Sequence, residues 1–435
     1  MRIALRDIIE WGGITLVAGD DDVMVESATA DSRDVVPGCL FVGVSGENVD
    51  GGLHAVDAIA QGAVAVLVGP EAWSEVGDDL ARTGAAILLA GDPVEALGLV
   101  GRGALQHLGA RVVGVTGSYG KTSTKDSVGA VLLAAGVRVA CTPGNRNTEV
   151  GVPLSILGLP ADAEVAVIEM GMRGPGQIAE LAVLAPPDVA VITSVGPVHL
   201  ELLGTIEAIA AAKAEILSAL HPGGVAVIPD DDIYLSAYVD ALPEGVGVVR
   251  FGDEPAIDLD LGDLKVWERR NMAAAVAVAT ALGTPPAAGT PVRLVRSAMR
   301  GVEYPLPGGG MLIEDCYNAN PPAMAAALAD LCRREGRHVA VMADMLELGP
   351  DEARFHREVG EEAARLGVDL VIAVGARAAS YPDGANGVTS AIFATTDDAV
   401  AGVPALIEPG DVVLVKGSRG MAMERVARAI REREA

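Results

Sequence analysis

Aromatic residues and cysteines are scarce in this chain. Phe, Trp and Tyr together make up 3% of its 435 residues, and its four cysteines contain no Cys-x-x-Cys pair. Those cysteines are Cys39, Cys141, Cys316 and Cys332. Scattered cysteines of this kind are typical of small core side chains in a reducing compartment. The sequence therefore predicts neither a disulfide framework nor a zinc site.

Long uncharged apolar runs are also missing. The stretch AAAVAVATAL at residues 273–282 is far shorter than the roughly 20 residues that cross a bilayer. The N-terminal stretch MRIALRDIIEWGG carries acidic residues within its apolar part, which a signal peptide does not. We therefore expect a cytoplasmic protein without a membrane span, and we expect it to be a monomer.

Basic residues are outnumbered by acidic ones. Lys and Arg total 32 against 59 Asp and Glu, for a net charge of −27. A field of this sign repels a phosphate backbone, so the composition argues against nucleic-acid binding. An anionic substrate must then be held by local groups, such as helix N-termini, a few basic side chains or metal ions.

Apolar and small residues are abundant instead, in a pattern typical of an α/β protein. Half of the residues are apolar, and short Val/Ile/Leu/Ala runs alternate with alanine-rich stretches, which indicates parallel strands with helical crossovers. The predicted strands lie at 63–69, 111–117, 164–170, 188–194, 338–344, 369–375 and 411–417. At about 150 residues per domain the length suggests roughly three domains. Composition shifts divide the chain into residues 1–105, 106–297 and 298–435.

The stretch RVVGVTGSYGKTSTKDSV at residues 111–128 predicts a phosphate-binding loop between a strand and a helix. Backbone N–H groups at a helix N-terminus suit a polyphosphate, Lys121 can reach the β- and γ-phosphate oxygens, and the Thr122 hydroxyl can ligate Mg²⁺. The spacing departs from the strict P-loop pattern, since Val115 stands where the first glycine belongs. A tight turn without a ligand is the alternative, but Gly-Lys-Thr at such a junction favours an ATP site. The loop residues of this site are Gly117, Ser118, Tyr119, Gly120, Lys121, Thr122 and Ser123.

Glu169 stands at the end of one further predicted strand, and His199 lies just beyond another. Ligands of an open parallel sheet bind beyond the carboxyl ends of its strands, so both side chains should approach the phosphate loop. A carboxylate is a hard oxygen ligand for Mg²⁺, and an imidazole can offer a neutral nitrogen. Taken singly, each has an ordinary alternative: a capping or salt-bridging acid, and a structural histidine.

Lys213 is one of only five lysines among the 32 basic residues. It lies in the helical stretch TIEAIAAAKAEILSAL, 14 residues after His199. Arginine would form this helix equally well, but only a primary amine can react covalently, for example with CO₂ to give a carbamate that ligates a metal. An ordinary surface lysine is the alternative.

Together, these motifs resemble the Mur ligases of peptidoglycan synthesis. The matching stretches, in order and spacing, are TGSYGKTST (116–124), IEMGMRGPGQIAEL (168–181), SVGPVHLELLG (194–204) and AAKAEI (211–216). That family shares the altered glycine spacing of the phosphate loop, and its lysine corresponding to Lys213 is carbamylated and helps to hold a second Mg²⁺. The resemblance implies ATP, two Mg²⁺ ions and an N6-carboxylysine at Lys213. The implied catalytic residues are Lys121, Glu169, His199 and Lys213, and the implied metal ligands are Thr122, Glu169, His199 and Lys213.

Further stretches are similar to the branch of the family that adds D-alanyl-D-alanine to UDP-MurNAc-tripeptide. They are DSRDVVPGCLFVGVSGENVDGG (31–52), TPGNRNTEVGVPLSIL (142–157), EDCYNANPPAM (314–324), VMADMLELG (341–349) and VKGSRGMAME (415–424). An Asp-Asn-Pro-Arg signature, expected of the branch that adds the third peptide residue, is absent from the sequence. The resemblance implies amide formation through an acyl phosphate. It also implies an α/β fold of three domains: an N-terminal uridine-nucleotide-binding domain, a central P-loop ATPase-like domain with a mostly parallel sheet, and a C-terminal Rossmann-like domain.

The resemblance also assigns residues that bind the three small-molecule substrates. Beyond the phosphate loop, the implied ATP-binding residues are Asn271, Arg300, Asp315 and Asn318. The implied uridine-nucleotide contacts are Ser32, Arg33, Ser45, Gly46 and Asn48. The remaining implied substrate-binding residues are Asn145, Asn147, Thr148, Asn320, Lys416, Ser418 and Arg419.

Two other functions stay open at this point. One is a different amide ligase on the same scaffold, which adds the third peptide residue or extends a polyglutamate. The other is a non-catalytic ATP-binding protein, against which the intact set of predicted metal ligands argues.

Overall fold

The computed structural model describes residues 1–46, 49–306 and 308–433. Strands and helices alternate along this part of the chain and form three α/β regions, each built around its own large sheet. The predicted α/β fold with three domains is therefore confirmed. Among the helices of the described residues, none combines the length and the apolar character that crossing a bilayer requires.

The N-terminal region forms a mostly parallel sheet. Its elements are β1 (Ile3–Ala4), α1 (Leu5–Gly12), β2 (Thr15–Ala18), β3 (Met24–Val25), β4 (Ser27–Thr29), β5 (Cys39–Val42), α2 (Ala55–Ala60), β6 (Ala65–Val68), α3 (Pro70–Leu80), β7 (Ala86–Leu89) and α4 (Pro93–Leu108). The strand order is β2-β7-β6-β5-β4, in which only the edge strand β2 runs antiparallel to its neighbour. β1 and β3 form a separate short antiparallel ladder.

Helix α4 joins this region to the next. Asp92 caps its start by accepting hydrogen bonds from the backbone N–H groups of Val94 and Glu95, and Pro93 occupies the first turn. Gly109 ends it in a left-handed conformation with φ 67°. The helix packs on both α1 and α6 (Gly151–Leu157). Residue 105 lies inside it, and the division of the chain at 105 and 297 stays a prediction.

The central region carries a parallel sheet. Its elements are β8 (Arg111–Thr116), α5 (Lys121–Ala134), β9 (Val139–Cys141), α6, β10 (Val165–Glu169), α7 (Gln177–Leu184), β11 (Val189–Ile192), α8 (Leu200–Leu203), α9 (Ile206–Ala214), β12 (Val225–Pro229), α10 (Ser236–Asp240), β13 (Gly247–Phe251) and α11 (Val266–Ala281). The strand order is β13-β12-β11-β8-β10-β9, with all pairs parallel. β8, β10 and β11 are buried almost throughout because helices cover both faces of the sheet.

The C-terminal region forms the third sheet. Its elements are β14 (Val302–Pro305), β15 (Met311–Asp315), α12 (Pro321–Cys332), β16 (His338–Ala343), α13 (Glu352–Leu366), β17 (Leu370–Val374), α14 (Tyr381–Gly384), β18 (Thr389–Phe393), α15 (Thr396–Gly402), β19 (Val412–Lys416) and α16 (Glu424–Glu432). The strand order is β14-β15-β19-β16-β17-β18, and only β14 is antiparallel to its neighbour.

The strands predicted from apolar runs are confirmed. All seven runs contain a strand of the structure, namely β6, β8, β10, β11, β16, β17 and β19. The carboxyl ends of β8, β10 and β11 lie together at one edge of the central sheet because these strands are parallel neighbours. The ends of β15 and β19 are likewise adjacent in the third sheet, with Asp315 opposite Lys416. These two edges carry most of the predicted site.

Candidate active site

The phosphate loop joins the end of β8 to the start of α5. Gly117 has φ 146° and Gly120 has φ 81°, values that favour glycine. A Cβ atom on Gly117 would also overlap the hydroxyl of Thr193, just after β11. The ammonium of Lys121 donates to the carbonyl oxygen of Gly117 at 2.8 Å. The loop therefore presents the N-terminus of α5 with Lys121 beside it, as an anion site requires.

Residues after β11 hold the loop in place. The hydroxyl of Thr193 donates to the carbonyl oxygen of Tyr119 at 2.6 Å, and the backbone N–H of Tyr119 donates to Oγ of Ser194 at 3.0 Å. The hydroxyl of Ser118 donates to the carbonyl oxygen of Gly196 at 3.1 Å. These hydrogen bonds hold the loop against the segment that follows β11.

Thr122, Glu169 and Arg300 form one hydrogen-bonded cluster beside the loop. The Thr122 hydroxyl donates to Oε2 of Glu169 at 2.8 Å, and Nη2 of Arg300 donates to the same hydroxyl at 2.9 Å. Asn147 donates to the other carboxylate oxygen of Glu169 at 2.7 Å. Glu169 ends β10 and is only 1% exposed, whereas Arg300 precedes β14. The cluster therefore joins the central region to the C-terminal region at the phosphate loop.

His199 follows β11 and lies at the start of α8. Its backbone has φ 53°, an uncommon value for a residue with a side chain. Its Nδ1 lies 2.5 Å from Oε2 of Glu347, which belongs to the loop after β16. The hydrogen bond from His199 lowers the pKa of the Glu347 carboxyl. Because Nδ1 meets Glu347, Nε2 is the ring nitrogen that remains for a ligand.

Lys213 lies near the end of α9 with 0% of its surface exposed, so the alternative of a surface lysine is wrong. Its Nζ makes no hydrogen bond to any residue that the structure describes. Burial lowers the pKa of this amine well below its usual value, and the positive charge of Lys121 adds to the effect, whereas Glu215 opposes it. A buried amine of this kind favours the neutral form.

The C-terminal edge contributes a second polar group. The ammonium of Lys416, at the end of β19, donates to Oδ2 of Asp315 at 2.7 Å and to the carbonyl oxygen of Asn318 at 3.0 Å. Asn320 caps α12, since its side-chain oxygen accepts from the backbone N–H of Ala323 at 3.0 Å. Lys416 thus fixes the loop between β15 and α12.

The turn after β19 completes that edge. Oγ of Ser418 accepts a hydrogen bond from the backbone N–H of Leu346 at 2.9 Å, which joins it to the loop that carries Glu347. Arg419 is paired with Glu424 at 2.8 Å and is largely exposed. The pair uses only Nη1 of Arg419, so the other donors of the guanidinium stay available to a ligand.

One cavity of about 810 Å³ collects most of the predicted residues. Those that line it are Ser118, Tyr119, Gly120, Lys121, Thr122, Ser123, Asn145, Asn147, Thr148, Glu169, His199, Asn271, Arg300, Asp315, Asn318, Asn320, Lys416, Ser418 and Arg419. They come from the central and the C-terminal regions of the chain. Gly117 and Lys213 are buried and do not line it.

The predicted uridine-nucleotide contacts lie elsewhere. Ser32 and Arg33 form a short 3₁₀ turn, where Arg33 pairs with Asp31 at 2.6 Å and lowers the pKa of that carboxyl to about 2. The backbone N–H of Gly46 donates to the carbonyl oxygen of Val49. Ser32, Arg33, Ser45 and Gly46 do not line the cavity, and Asn48 lies outside the described residues.

Glu347 and Tyr317 are among the cavity residues that the sequence did not indicate. Glu347 contacts His199, and Tyr317 lies under the guanidinium of Arg300, whose central carbon is 3.9 Å from the ring centroid. Both stand in motifs that were quoted for the resemblance, VMADMLELG and EDCYNANPPAM. These motifs could have indicated both residues, but a single acidic or aromatic residue in a motif does not reveal which side chain it contacts.

The donor set fits a magnesium ion held near the phosphate loop. Thr122 and Glu169 offer adjacent hard oxygen atoms, which Mg²⁺ prefers. The partnerless amine of Lys213 needs either a neighbour or a chemical change to justify its burial. These observations agree with the predicted ligands without testing them.

Comparison with known proteins gives the family. Three family profiles match the chain: "Mur ligase family, catalytic domain" over residues 25–101, "Mur ligase middle domain" over 115–279 and "Mur ligase, glutamate ligase domain" over 302–419. A UDP-N-acetylmuramoyl-tripeptide–D-alanyl-D-alanine ligase from Bacillus subtilis is 34% identical, with 95% of this chain and 94% of that protein covered. The chain belongs to the Mur ligase family.

Other Mur ligases agree with this assignment. The enzyme of the same name from Escherichia coli is 33% identical, with 94% of this chain and 95% of that protein covered. Among solved structures, MurF from Acinetobacter baumannii superposes with a TM-score of 0.86 at 27% identity, covering 100% of this chain and 99% of that one. MurF from Thermotoga maritima, solved in complex with ADP, gives a TM-score of 0.79 at 30% identity, with 94% and 97% covered.

Proposed function

We propose that this protein is an ATP-dependent ligase that joins the terminal carboxylate of UDP-MurNAc-tripeptide to the amine of D-alanyl-D-alanine. The observation that carries the proposal is the Thr122–Glu169–Arg300 cluster, which lies at a phosphate loop inside a cavity lined by two regions. The names of the relatives from B. subtilis and E. coli support the choice of substrates. The ADP in the T. maritima relative supports the choice of nucleotide.

The chemistry explains why the site needs so many groups that bind anions. A carboxylate does not react with an amine in water until it is activated. In the proposed reaction the carboxylate oxygen attacks the γ-phosphorus of ATP, and the bond from that phosphorus to the bridging oxygen of ADP breaks. The amine of D-alanyl-D-alanine then attacks the acyl phosphate, a tetrahedral intermediate collapses and phosphate leaves. Anionic oxygens meet in both steps, so electrostatic stabilisation should be the largest catalytic effect.

The chain's own residues supply part of that stabilisation. Lys121 and the N–H groups at the start of α5 would bind the phosphates, and Arg300 would approach them from the C-terminal side. Burial lowers the pKa of Lys121, and the positive charge of Arg300 lowers it further, whereas Glu169 opposes the shift. A polyphosphate between Lys121 and Arg300 would remove their repulsion and favour both charged forms. This is how a chain with a net charge of −27 can hold a nucleotide.

Two magnesium ions are proposed, with Thr122 and Glu169 holding one, and Glu169, His199 and Lys213 holding the other. When bound, they would neutralise the phosphate oxygens that the protein does not reach. Glu347 would keep the His199 ring oriented by its hydrogen bond to Nδ1.

We propose that Lys213 joins the metal ligands as N6-carboxylysine. The neutral amine attacks the carbon of CO₂, an N–C bond forms, one C–O π pair moves to oxygen, and an amine proton is released. The product is an anion that suits a divalent ion. The proposal is supported by the full burial of Nζ, the absence of a partner for it among the described residues, and a lowered pKa.

The remaining substrate contacts are also proposals. Asn145, Asn147, Thr148, Asn320, Lys416, Ser418 and Arg419 would surround the acceptor and the dipeptide, and the N-terminal residues named above would hold the uridine nucleotide. Since those N-terminal residues do not line the cavity, the tripeptide would have to bridge from them to it. We further propose a cytoplasmic monomer.

The test is phosphate release from ATP with UDP-MurNAc-tripeptide, in the presence and absence of D-alanyl-D-alanine. Release that requires the dipeptide, with a product heavier by that dipeptide, would support the proposal. Release that depends on a single amino acid instead would indicate another amide ligase on the same scaffold. If no combination of acid and amine stimulates release, the protein is a non-catalytic nucleotide-binding member of the family.

A further inference from the structure

Lys265 is a buried lysine that the proposed reaction does not use. It directly precedes α11 and is 4% exposed. Its ammonium donates to the carbonyl oxygen of Gly301 at 2.7 Å. Lys265 belongs to the central region, whereas Gly301 stands next to β14 of the C-terminal region. The segment that connects the two regions runs from the end of α11 to the start of β14. This hydrogen bond therefore fastens the C-terminal end of that segment to the central region.

Carboxylates of the C-terminal region compensate the buried charge. The Lys265 ammonium lies 3.4 Å from Glu303 and 3.7 Å from Asp330. Arg334 pairs with the same two acids at 2.8 and 3.1 Å. Either basic residue would neutralise much of the acidic charge, but among these charged groups only Lys265 contacts the Gly301 carbonyl. The charge balance alone thus does not explain why Lys265 is placed on that carbonyl.

Gly301 is shaped for this contact. Its φ is 69°, and an added Cβ atom would lie 2.6 Å from the Lys265 ammonium. A side chain here would be strained and would also displace the lysine. Close approach of the ammonium to this peptide therefore depends on glycine.

The Gly301 carbonyl that Lys265 holds belongs to the Gly301–Val302 peptide, one peptide beyond Arg300. On the other side of Arg300, the carbonyl oxygen of Met299 accepts a hydrogen bond from the backbone N–H of Tyr317 at 3.2 Å. Arg300 is thus fixed from both sides, and its guanidinium stacks on the Tyr317 ring and reaches the Thr122 hydroxyl. A shift of the backbone at 301 would move the guanidinium relative to the phosphate loop.

We propose that Lys265 is a positioning residue that sets Arg300 on the phosphate loop. The inference rests on the proposed function, because Arg300 is taken to act on the nucleotide. The connecting segment is anchored to α5 as well, since the Ser297 hydroxyl donates to Asp126 at 2.6 Å. Of these two anchors to the central region, Lys265 supplies the one nearer to Arg300, and it acts through the backbone of residue 301.

The test compares Lys265→Met, Arg300→Met and the double variant with the matched control Arg334→Met, which removes a positive charge from the same acids without touching Gly301. Two quantities are measured: the Kd for the non-hydrolysable ATP analogue AMPPNP with magnesium, and kcat and KM for dipeptide-dependent phosphate release. We expect Lys265→Met to raise that Kd about tenfold, the scale of one hydrogen bond to a charged group. We expect it to lower kcat by on the order of 10- to 100-fold, with KM for the tripeptide unchanged.

The double variant decides between positioning and general support of the fold. If Lys265 acts through Arg300, the double variant is no worse than Arg300→Met. Additive losses, or equal losses in Arg334→Met, would overturn the inference. If the thermal transition shows that Lys265→Met does not fold, Gly301→Ala takes its place. That variant breaks the same contact without removing a charge. Normal analogue binding by Gly301→Ala would likewise overturn the inference. Analogue binding is measured without turnover, so a wild-type protein that lacks ligase activity would refute the proposed function and still leave the role of Lys265 testable.

Discussion

The imidazole of His199 and the carboxylate of Glu347 meet at 2.5 Å across 148 residues of sequence. Both residues have left-handed backbone conformations, with φ 53° and 64°. Such conformations cost energy in residues with side chains and cluster at functional sites. The pair joins the central region to the C-terminal region at the cavity, so the orientation of His199 depends on the position of the loop after β16.

Glu347→Gln should lower the affinity of the site for magnesium. The amide cannot orient His199 through a charge-assisted hydrogen bond, and loss of such a partner typically lowers metal affinity by about 10- to 100-fold. We expect the magnesium concentration for half-maximal phosphate release to rise by about tenfold or more, with the thermal midpoint little changed. Glu362→Gln is the control, since Glu362 pairs with Arg365 on α13, away from the cavity lining. An unchanged magnesium requirement in Glu347→Gln would show that His199 acts without this partner.

Thr122→Val should lower turnover strongly while preserving the fold. Valine matches the shape of threonine but leaves Glu169 without the 2.8 Å hydrogen bond and Arg300 without its acceptor. We expect kcat to fall by on the order of 10²-fold or more, as for other preorganised catalytic groups. The control is Thr280→Val, where the lost hydroxyl only bonds back to the carbonyl of Val276 within α11. If Thr122→Val were as active as the control, the Thr122 hydroxyl would have no role in catalysis.

Gly117→Ala should prevent nucleotide binding. The φ of 146° disfavours alanine, and the new methyl group would overlap Thr193, so the loop must move away from β11. We expect no measurable binding of ADP by calorimetry. Gly98→Ala is the matched control, because Gly98 lies in α4 and its Cβ atom would meet Leu184 at an ordinary 3.6 Å. The control should bind ADP normally and gain about 0.5–1 kcal/mol of stability; ADP binding by Gly117→Ala would contradict the predicted loop geometry.

Local patterns in the sequence predict much of this architecture. Apolar runs predict the strands because a strand covered on both faces needs apolar residues throughout. The glycines of the phosphate loop and the position of Glu169 at a strand end place two parts of the site, since parallel neighbours end at the same edge. The resemblance added the C-terminal residues that line the same cavity.

Contacts between distant segments could not be predicted in this way. The His199–Glu347 and Lys265–Gly301 contacts join segments that are 148 and 36 residues apart. They depend on how the C-terminal region packs on the central one, and no periodicity in either segment encodes that packing. The sequence likewise did not indicate that Lys213 is completely buried, because an alanine-rich helix has no apolar stripe that reveals which face packs inward.

His356 should make stability depend on pH. Its Nε2 accepts from the backbone N–H of Met345 at 3.0 Å, and its Nδ1 donates to the carbonyl oxygen of Glu352 at 2.7 Å, so the buried ring is neutral. Burial lowers its pKa below the usual 6.5. Between that lowered pKa and 6.5 the unfolded chain binds the additional proton. The contribution of the neutral His356 ring to the free energy of unfolding is therefore complete above pH 6.5. Below pH 6.5 this free energy falls by up to about 1.4 kcal/mol per pH unit.

His356→Gln tests this dependence, because glutamine can accept from Met345 but does not titrate. Thermal midpoints of wild type and variant are measured from pH 8 to pH 5. We expect the wild type to lose more stability than His356→Gln below pH 6.5, with parallel behaviour above it. Parallel curves over the whole range would show that His356 does not carry the effect.

Lys213 should carry a carbamate that can be observed directly. With ¹³C-labelled bicarbonate, NMR of the wild type should show a carbamate carbon that is absent from Lys213→Met, a neutral side chain of similar length. Both Lys213→Met and Lys213→Arg should lose magnesium-dependent turnover. Methionine lacks the amine, and the guanidinium of arginine stays charged and cannot form the carbamate. Methionine suits the buried site, where Nζ has no partner among the described residues, so this variant should fold. A wild type without the labelled signal, or a Lys213→Met variant with near-normal turnover, would exclude the carbamate and require another reason for burying this amine beside Lys121.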